Sequence, residues 1–272
     1  MHFQFRTGCL YLLLICSFLA ACGSAPATSN PSTPQPVKLT IFAASSLTES
    51  FKELQQQYTA SHHEVTFTNQ FAGSQVLAQQ LTNGARADIL ASADQATMKK
   101  VSDAGLSEQP QVFAKNKLVV IVPASNPAHI QKLKDLARPG LKIVVAAPSV
   151  PVGKYGLQVL DNLGKAPDYG SAYESAVKAN FVSQEDNVKS VVNKVQLNEA
   201  DAGFVYLTDV TPDLTSKVKL IDLPDQLNVI AEYPIAVLKS ATSTSQARNF
   251  VDYLLSTQGQ AILKKYHFIP VH

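Results

Sequence analysis

From Val37 onward the chain alternates short apolar, β-branched runs with stretches whose apolar residues recur at helical spacing. That alternation predicts an α/β protein built on mainly parallel sheets. The run VKLTIFA (37–43) reads as a buried strand. Ser46-Leu47-Thr48-Glu49 follows with the spacing of a capping box, Ser46 capping and Glu49 reaching back. Leu47, Phe51, Leu54 and Tyr58 then share one helical face. EVTFTNQF is a second strand, Ser74 opens a short helix carrying Val76, Leu77 and Leu81, and Gly84 closes it. ADILAS is a third strand, with Asp94 as cap of a helix through Met98 and Val101 that ends at Gly105.

NKLVVIVP (116–123) is the next strand, and Asn126-Pro127 breaks the chain after it. A second set starts with LKIVVAAP and a Val150-Pro151-Val152-Gly153 loop. It continues through helices at Tyr155/Leu160/Leu163 and Tyr173/Val177, the strand NFVS, a helix with Val188, Val191, Val192 and Val195, and the strand AGFVY. After an extended stretch at 217–223, EYPIAVLK is a strand and two helical stretches occupy 243–266. No internal repeat has a fixed period. Two α/β sets divided by long apolar runs imply two lobes, with NKLVVIVP and EYPIAVLK as neighbouring strands between them. The boundaries fall at 37–121 plus 231–272 for one lobe and 122–230 for the other. A ligand belongs where strand ends meet helix N-termini between them.

Charge narrows the function classes. Lys and Arg number 23 against 21 Asp and Glu, a net +2 with the charges scattered, and 46% of residues are apolar. There is no basic field for nucleic acid, and the composition fits neither a disordered chain nor a polytopic membrane protein. The three cysteines, Cys9, Cys16 and Cys22, all lie in the first 22 residues, so the rest of the chain has no disulfide, thiolate-bound zinc or Cys nucleophile. Arg6 precedes an uncharged run, CLYLLLICSFLAA (9–21), of signal-peptide length and shorter than the ~20 residues a spanning helix needs. Residues 1–21 are therefore expected to be a signal peptide. The sequence Leu19-Ala20-Ala21-Cys22-Gly23 resembles the lipobox of bacterial lipoproteins, which implies cleavage before Cys22 and a lipid on its thiol. The stretch 22–36, GSAPATSNPSTPQP after Cys22, is uncharged and rich in Pro, Ser and Thr, a spacer reaching roughly 20 to 45 Å.

Candidate chemistry sits in two strand-to-helix turns, Ala43-Ala44-Ser45-Ser46 and Ala72-Gly73-Ser74. A helix N-terminus offers unpaired N–H groups and about half a positive charge, and small residues permit close approach. Two such turns facing one cleft would bind an anion without Lys or Arg; read plainly, they are two capped helices.

Seven segments occur in order: TIFAASSL, NQFAGSQVLAQQLTNGARADILASADQATM, KLVVIVP, PVGKYG, EDNVKSVVNKV, DAGFVY and EYPIAVL. Together they resemble the substrate-binding proteins of bacterial molybdate ABC transporters, and the likeness runs from Lys38 to the C-terminus. The resemblance implies a two-lobe periplasmic-binding-protein type II fold, each lobe a mainly parallel sheet flanked by helices, with hinge strands between. It implies high-affinity capture of molybdate, and of tungstate, outside the cytoplasmic membrane, with hinge closure around the oxyanion and delivery to an ABC permease. It also implies that Ser46 and Ser74 donate from one lobe, and that backbone N–H groups of Val152 and Val188 and the phenol of Tyr206 donate from the other. Molybdenum would enter only as the bound oxyanion. Other members often carry Ala in place of Val152 and Ser in place of Gly73. No cofactor, catalytic residue or nucleic-acid partner is expected, and the protein should be a monomer held to the membrane by lipid alone.

The remaining candidates have plainer readings. His62-His63 is a solvated turn without a third metal ligand. His267 and His272 are surface residues near the C-terminus. Asp88 and Asp94 orient backbone rather than form a catalytic pair, and Glu185-Asp186 precedes a helix in keeping with its dipole. Arg86 has no ligand role in the matched motif. Three rival functions are a receptor for sulfate or another oxyanion, a secreted serine hydrolase using Ser46 or Ser74, and a scaffolding lipoprotein. The hydrolase needs a base, and neither serine lies in a G-x-S-x-G elbow.

Overall fold

The computed structural model describes residues 35–271. The expected signal peptide, Cys22, nearly all of the spacer, and His272 lie outside these residues. In chain order the first half runs β1 (Val37–Ala44), α1 (Thr48–Thr59), β2 (Val65–Ala72), α2 (Ser74–Thr82), β3 (Ile89–Ala91), α3 (Gln95–Asp103) and β4 (Gln111–Pro123). The second half runs β5 (Ile143–Ala146), α4 (Pro151–Lys165), α5 (Ser171–Ala179), β6 (Phe181–Glu185), α6 (Val188–Gln196), β7 (Ala202–Tyr206) and β8 (Val218–Ile221). The chain then returns through β9 (Ile230–Val237) and ends in α7 (Thr244–Leu255) and α8 (Thr257–Lys265).

The strand order is β2-β1-β3-β9-β4-β7-β5-β6, with β8 paired to β4 off that path. β2, β1 and β3 are mutually parallel, and so are β7, β5 and β6. These are the two α/β sets that the alternation predicts. Every antiparallel pairing involves β4 or β9, the two long runs expected to be neighbours. β4 starts five residues earlier than NKLVVIVP, and it serves both sets in turn. Residues 111–117 pair with β9, and 118–123 pair with β7 and β8. A bulge between Val112 and Ala114 re-aims the strand within that span.

Because side chains alternate across a strand, a sheet covered on both faces needs apolar residues at consecutive positions. β1 and β3 meet that need: Ile41 and Ile89 enter one apolar cluster, while Phe42 and Leu90 enter another with Leu77, Leu81, Met98 and Val101 of α2 and α3. On the first side Phe51, Tyr58 and Phe250 meet edge to face, with ring centroids 5.3 to 6.4 Å apart. Each such fully buried side chain contributes about 1.5–3 kcal/mol. Among the described residues no helix is long and apolar enough to cross a membrane.

Two local expectations are corrected. Ser46 and Glu49 form no capping box: Ser45–Leu47 is a 3-10 turn, Leu47 precedes α1, and no side chain caps that helix. Ser46 is drawn away by a bond to Tyr233 and Glu49 by an ion pair with Lys189. The Val150-Pro151-Val152-Gly153 segment is not a loop beyond Val150, because Pro151, with its φ preset for a helix, opens α4.

Candidate functional site

The parallel strands of both sets point their carboxyl ends at one place, a cavity with about 190 Å³ of open space. Ala44, Ser45 and Ser46 reach it from the end of β1, Ala72, Gly73 and Ser74 from β2, and Ala93 from β3. From the other side come Val150, Pro151 and Val152 at the start of α4, Val188 at the start of α6, and Tyr206 at the end of β7. All five residues singled out from the sequence, Ser46, Ser74, Val152, Val188 and Tyr206, therefore line the same cavity. No charged side chain does. A larger space of about 370 Å³ behind α4, lined by Val145, Leu160, Phe181 and Phe204, is almost wholly apolar and offers no such convergence.

The donors arise from local folding. α2, α4 and α6 each present a first turn whose N–H groups have no carbonyl one turn earlier. Ser74 is the first residue of α2, Val152 the second of α4 and Val188 the first of α6. The serine expected to cap α2 does not: Gly73 holds that place, and Ser74 Oγ accepts from the Ala93 N–H at 3.0 Å. Its own proton remains available. α6 is capped by Asn187, whose Oδ1 accepts from the Ser190 N–H at 3.1 Å. A Cβ on Gly153 would clash with the carbonyls of Ala146 and Ala147, so glycine lets the N-terminus of α4 close on β5.

Tyr206 and Ser46 differ in how they are held. The Tyr206 side chain is wholly buried, and its hydroxyl makes no hydrogen bond. Burial pushes its pKa well above the usual phenol range, so it stays a donor. A buried, unpaired hydroxyl on a cavity wall is a costly feature that a ligand acceptor would resolve. Ser46 Oγ lies 3.0 Å from Tyr233 Oη, which accepts from Asn116 Nδ2 at 3.2 Å. Asn116 also donates to Thr208 Oγ1 at 2.7 Å. Tyr233 and Asn116 carry no mark in the sequence beyond a polar residue inside each of two apolar strands.

Contacts across the mouth join the two sides. Gln75 of α2 donates to the Asp186 carbonyl at 2.9 Å, and Lys154 of α4 meets Asp94 at 3.3 Å. Lys189 of α6 pairs with Glu49 of α1 at 2.8 Å and lies 3.7 Å from Asp209. A Cβ on Gly73 would strike the Asp186 carbonyl, so Gly73 is what lets these turns touch. Asp209 Oδ2 accepts from the Tyr206 N–H at 3.1 Å, whereas Oδ1 has no hydrogen bond. Complete burial raises its carboxyl to about 6 despite Lys189. Burial opposes the Lys189 charge, but Asp209 and Glu49 outweigh it and raise the ammonium pKa.

The reading of Asp88 and Asp94 as groups that orient backbone agrees with the structure. Asp88 accepts from the N–H groups of Thr40 and Thr242 at 2.6 and 2.7 Å, and Asp94 caps α3 through Thr97. His62 stacks on Tyr58 with centroids 3.9 Å apart. Among the described residues no group of three or more His, Cys, Asp or Glu could hold a metal.

A family model described as bacterial extracellular solute-binding protein matches residues 39–269. The molybdate-binding protein ModA of Mycobacterium tuberculosis is 38% identical over 265 residues, 96% of each chain. A solved substrate-binding domain of a putative molybdenum ABC transporter from Clostridium difficile is 31% identical, with a TM-score of 0.64 over 86% of this chain and 99% of its own. The sulfate-binding protein SubI of Mycobacterium tuberculosis shares the fold, with a TM-score of 0.76 at 17% identity over 86% of this chain and 87% of its own.

Proposed function

The chain belongs to the bacterial extracellular solute-binding proteins, and from that premise we propose that it captures molybdate, or tungstate, and hands it to an ABC permease. The observation that carries this reading is the cavity. Five residues converge there as hydroxyl or N–H donors, no carboxylate faces in, and the buried Tyr206 hydroxyl lacks an acceptor. Molybdate has two negative charges and no proton near neutral pH, so its oxygens only accept. Ser46, Ser74 and Tyr206 would donate through side chains and Val152 and Val188 through backbone, with three helix N-termini supplying partial positive charge. Donors to a charged oxygen contribute roughly 1.5–3 kcal/mol each, enough in sum for a micromolar Kd, about −8 kcal/mol, or tighter after the cost of closure.

In this reading residues 37–121 with 231–272 form one lobe and 122–230 the other, and the Lys189–Glu49, Lys154–Asp94 and Gln75–Asp186 contacts form as they close. The chain acts as a monomer outside the cytoplasmic membrane, tethered by lipid on Cys22. Neither serine is bonded to a base, Ser46 meeting Tyr233 and Ser74 the Ala93 amide, which supports binding rather than turnover. Sulfate is the second reading, favoured by the fold shared with SubI.

A thermal-shift titration of the domain from Val37 with molybdate, tungstate, sulfate and phosphate tests it. A ligand bound only by the folded state adds RT ln(1 + [L]/Kd), about 2.7 kcal/mol at a hundredfold excess. Shifts at micromolar molybdate and tungstate, absent with sulfate, are expected. A shift with sulfate alone would replace the substrate, and no shift with any of the four would overturn the reading.

A further inference from the structure

We infer that Asn116 and Tyr233 form a one-way hydrogen-bond relay that fixes Ser46 as a donor toward the cavity and so rejects oxyanions that carry a proton. The inference rests on the oxyanion reading above and adds two positioning residues to it. Direction enters at Asn116. Its Oδ1 accepts from the Lys117 N–H at 3.0 Å, which fixes the amide with Nδ2 toward the interior. Nδ2 then spends its protons on Thr208 Oγ1 and Tyr233 Oη.

Tyr233 is wholly buried and, with burial foremost and Asp209 adding to it, keeps its phenolic proton. Having accepted from Asn116, its oxygen must place that proton, and Ser46 Oγ at 3.0 Å is the acceptor at hand. The opposite sense, Ser46 donating to Tyr233, would turn the Tyr233 proton toward the Tyr206 hydroxyl, a contact without proper hydrogen-bond geometry and so the poorer arrangement. Tyr206 stands edge-on to Tyr233, centroids 5.7 Å apart, but its hydroxyl takes no bond from it. Ser46 therefore receives from Tyr233, and its own proton points into the cavity that it lines. A fully deprotonated oxyanion accepts that proton. Hydrogen phosphate, with the same double charge and the same shape, brings a proton of its own and meets a donor.

The test reverses the relay. In Asn116→Asp a carboxylate accepts from Tyr233, the Tyr233 oxygen accepts from Ser46, and Ser46 turns a lone pair to the ligand. Affinities for molybdate, sulfate and phosphate are measured by calorimetry in mildly alkaline buffer, where all three are dianions. The buried charge weakens all three alike, so the readout is the ratio of phosphate to sulfate and molybdate affinity. That ratio is expected to rise about tenfold. Tyr233→Phe, which keeps the ring and removes only the relaying hydroxyl, frees Ser46 and should raise the same ratio a few-fold even if the aspartate variant fails to fold. Wild-type binding of molybdate with ratios unchanged in the folded variants overturns the relay alone. A wild type that binds none of the three overturns the oxyanion reading and the relay with it.

Discussion

On the β1–β3 face of the cavity the hydroxyls of Ser46 and Ser74 are already engaged inside the protein, Ser46 with Tyr233 and Ser74 with the Ala93 amide. On the β5–β7 face the lining groups are helix-terminal N–H donors and a phenol with no partner, standing over a carboxylate that is itself half satisfied. These two donors are held before any ligand arrives. The second face is left incomplete, and its unsatisfied groups are those an anion would complete. The contrast separates two ways of preparing a donor: neutral hydrogen bonds that orient it, and an unpaired state that makes ligand binding favourable.

The largest effect expected from this contrast is a pH dependence confined to the β5–β7 face. Asp209 has its carboxyl raised from 3.8 to about 6 by complete burial, with the Lys189 charge only partly offsetting it. A raised carboxyl means the folded state holds the proton more tightly than the unfolded one. Its share of stability is thus greatest below about pH 4 and is lost as pH rises toward 6, then constant above. About two units correspond to on the order of 3 kcal/mol. Asp209→Asn mimics the protonated form and can still accept from the Tyr206 N–H. Denaturant unfolding should show the variant gaining on the wild type between about pH 4 and 6, with the gap flat beyond. A gap independent of pH would mean that Asp209 carries no such burden.

The next effect isolates a single backbone donor. Val188 begins α6, and Asn187 before it is extended at φ −160° and ψ 166°, the backbone a residue preceding proline adopts. Val188→Pro therefore suits the helix and removes the N–H, replacing a buried valine side chain by an apolar ring of similar size. Molybdate affinity should fall about 10- to 150-fold, the weight of one bond to a charged acceptor, with the circular dichroism of the free protein unchanged. Unaltered affinity would take Val188 out of the site.

How much of this could be read from the chain divides along the same line. Both α/β sets, the pairing of the two long strands and the meeting of five residues follow from periodicity and from the matched segments. Groups whose meaning depends on distant partners do not. Ser46 and Glu49 have capping-box spacing, yet Tyr233, 187 residues away, and Lys189, 140 away, claim them. Asn116 reads only as the first residue of the strand NKLVVIVP, whereas β4 passes there from one half of the sheet to the other and buries it completely. Gly73 reads only as room beside a serine, and its closeness to Asp186 needs the folded pair of turns.

The smallest effect is the sharpest on the comparison, because it should differ in sign. Ser74→Ala deletes a ligand donor and also strands the buried Ala93 N–H that Ser74 Oγ now satisfies. The free protein should lose about 1 kcal/mol or slightly more. Tyr206→Phe deletes a ligand donor that has no internal partner, so the free protein should be unchanged or more stable by up to about 1 kcal/mol. Both variants should bind molybdate more weakly, which makes affinity alone blind to the difference. Urea unfolding without ligand, run beside the titration, separates them. Equal losses of free-protein stability would mean that the Tyr206 hydroxyl finds a partner when the cavity is empty, and the second face would then be as settled as the first.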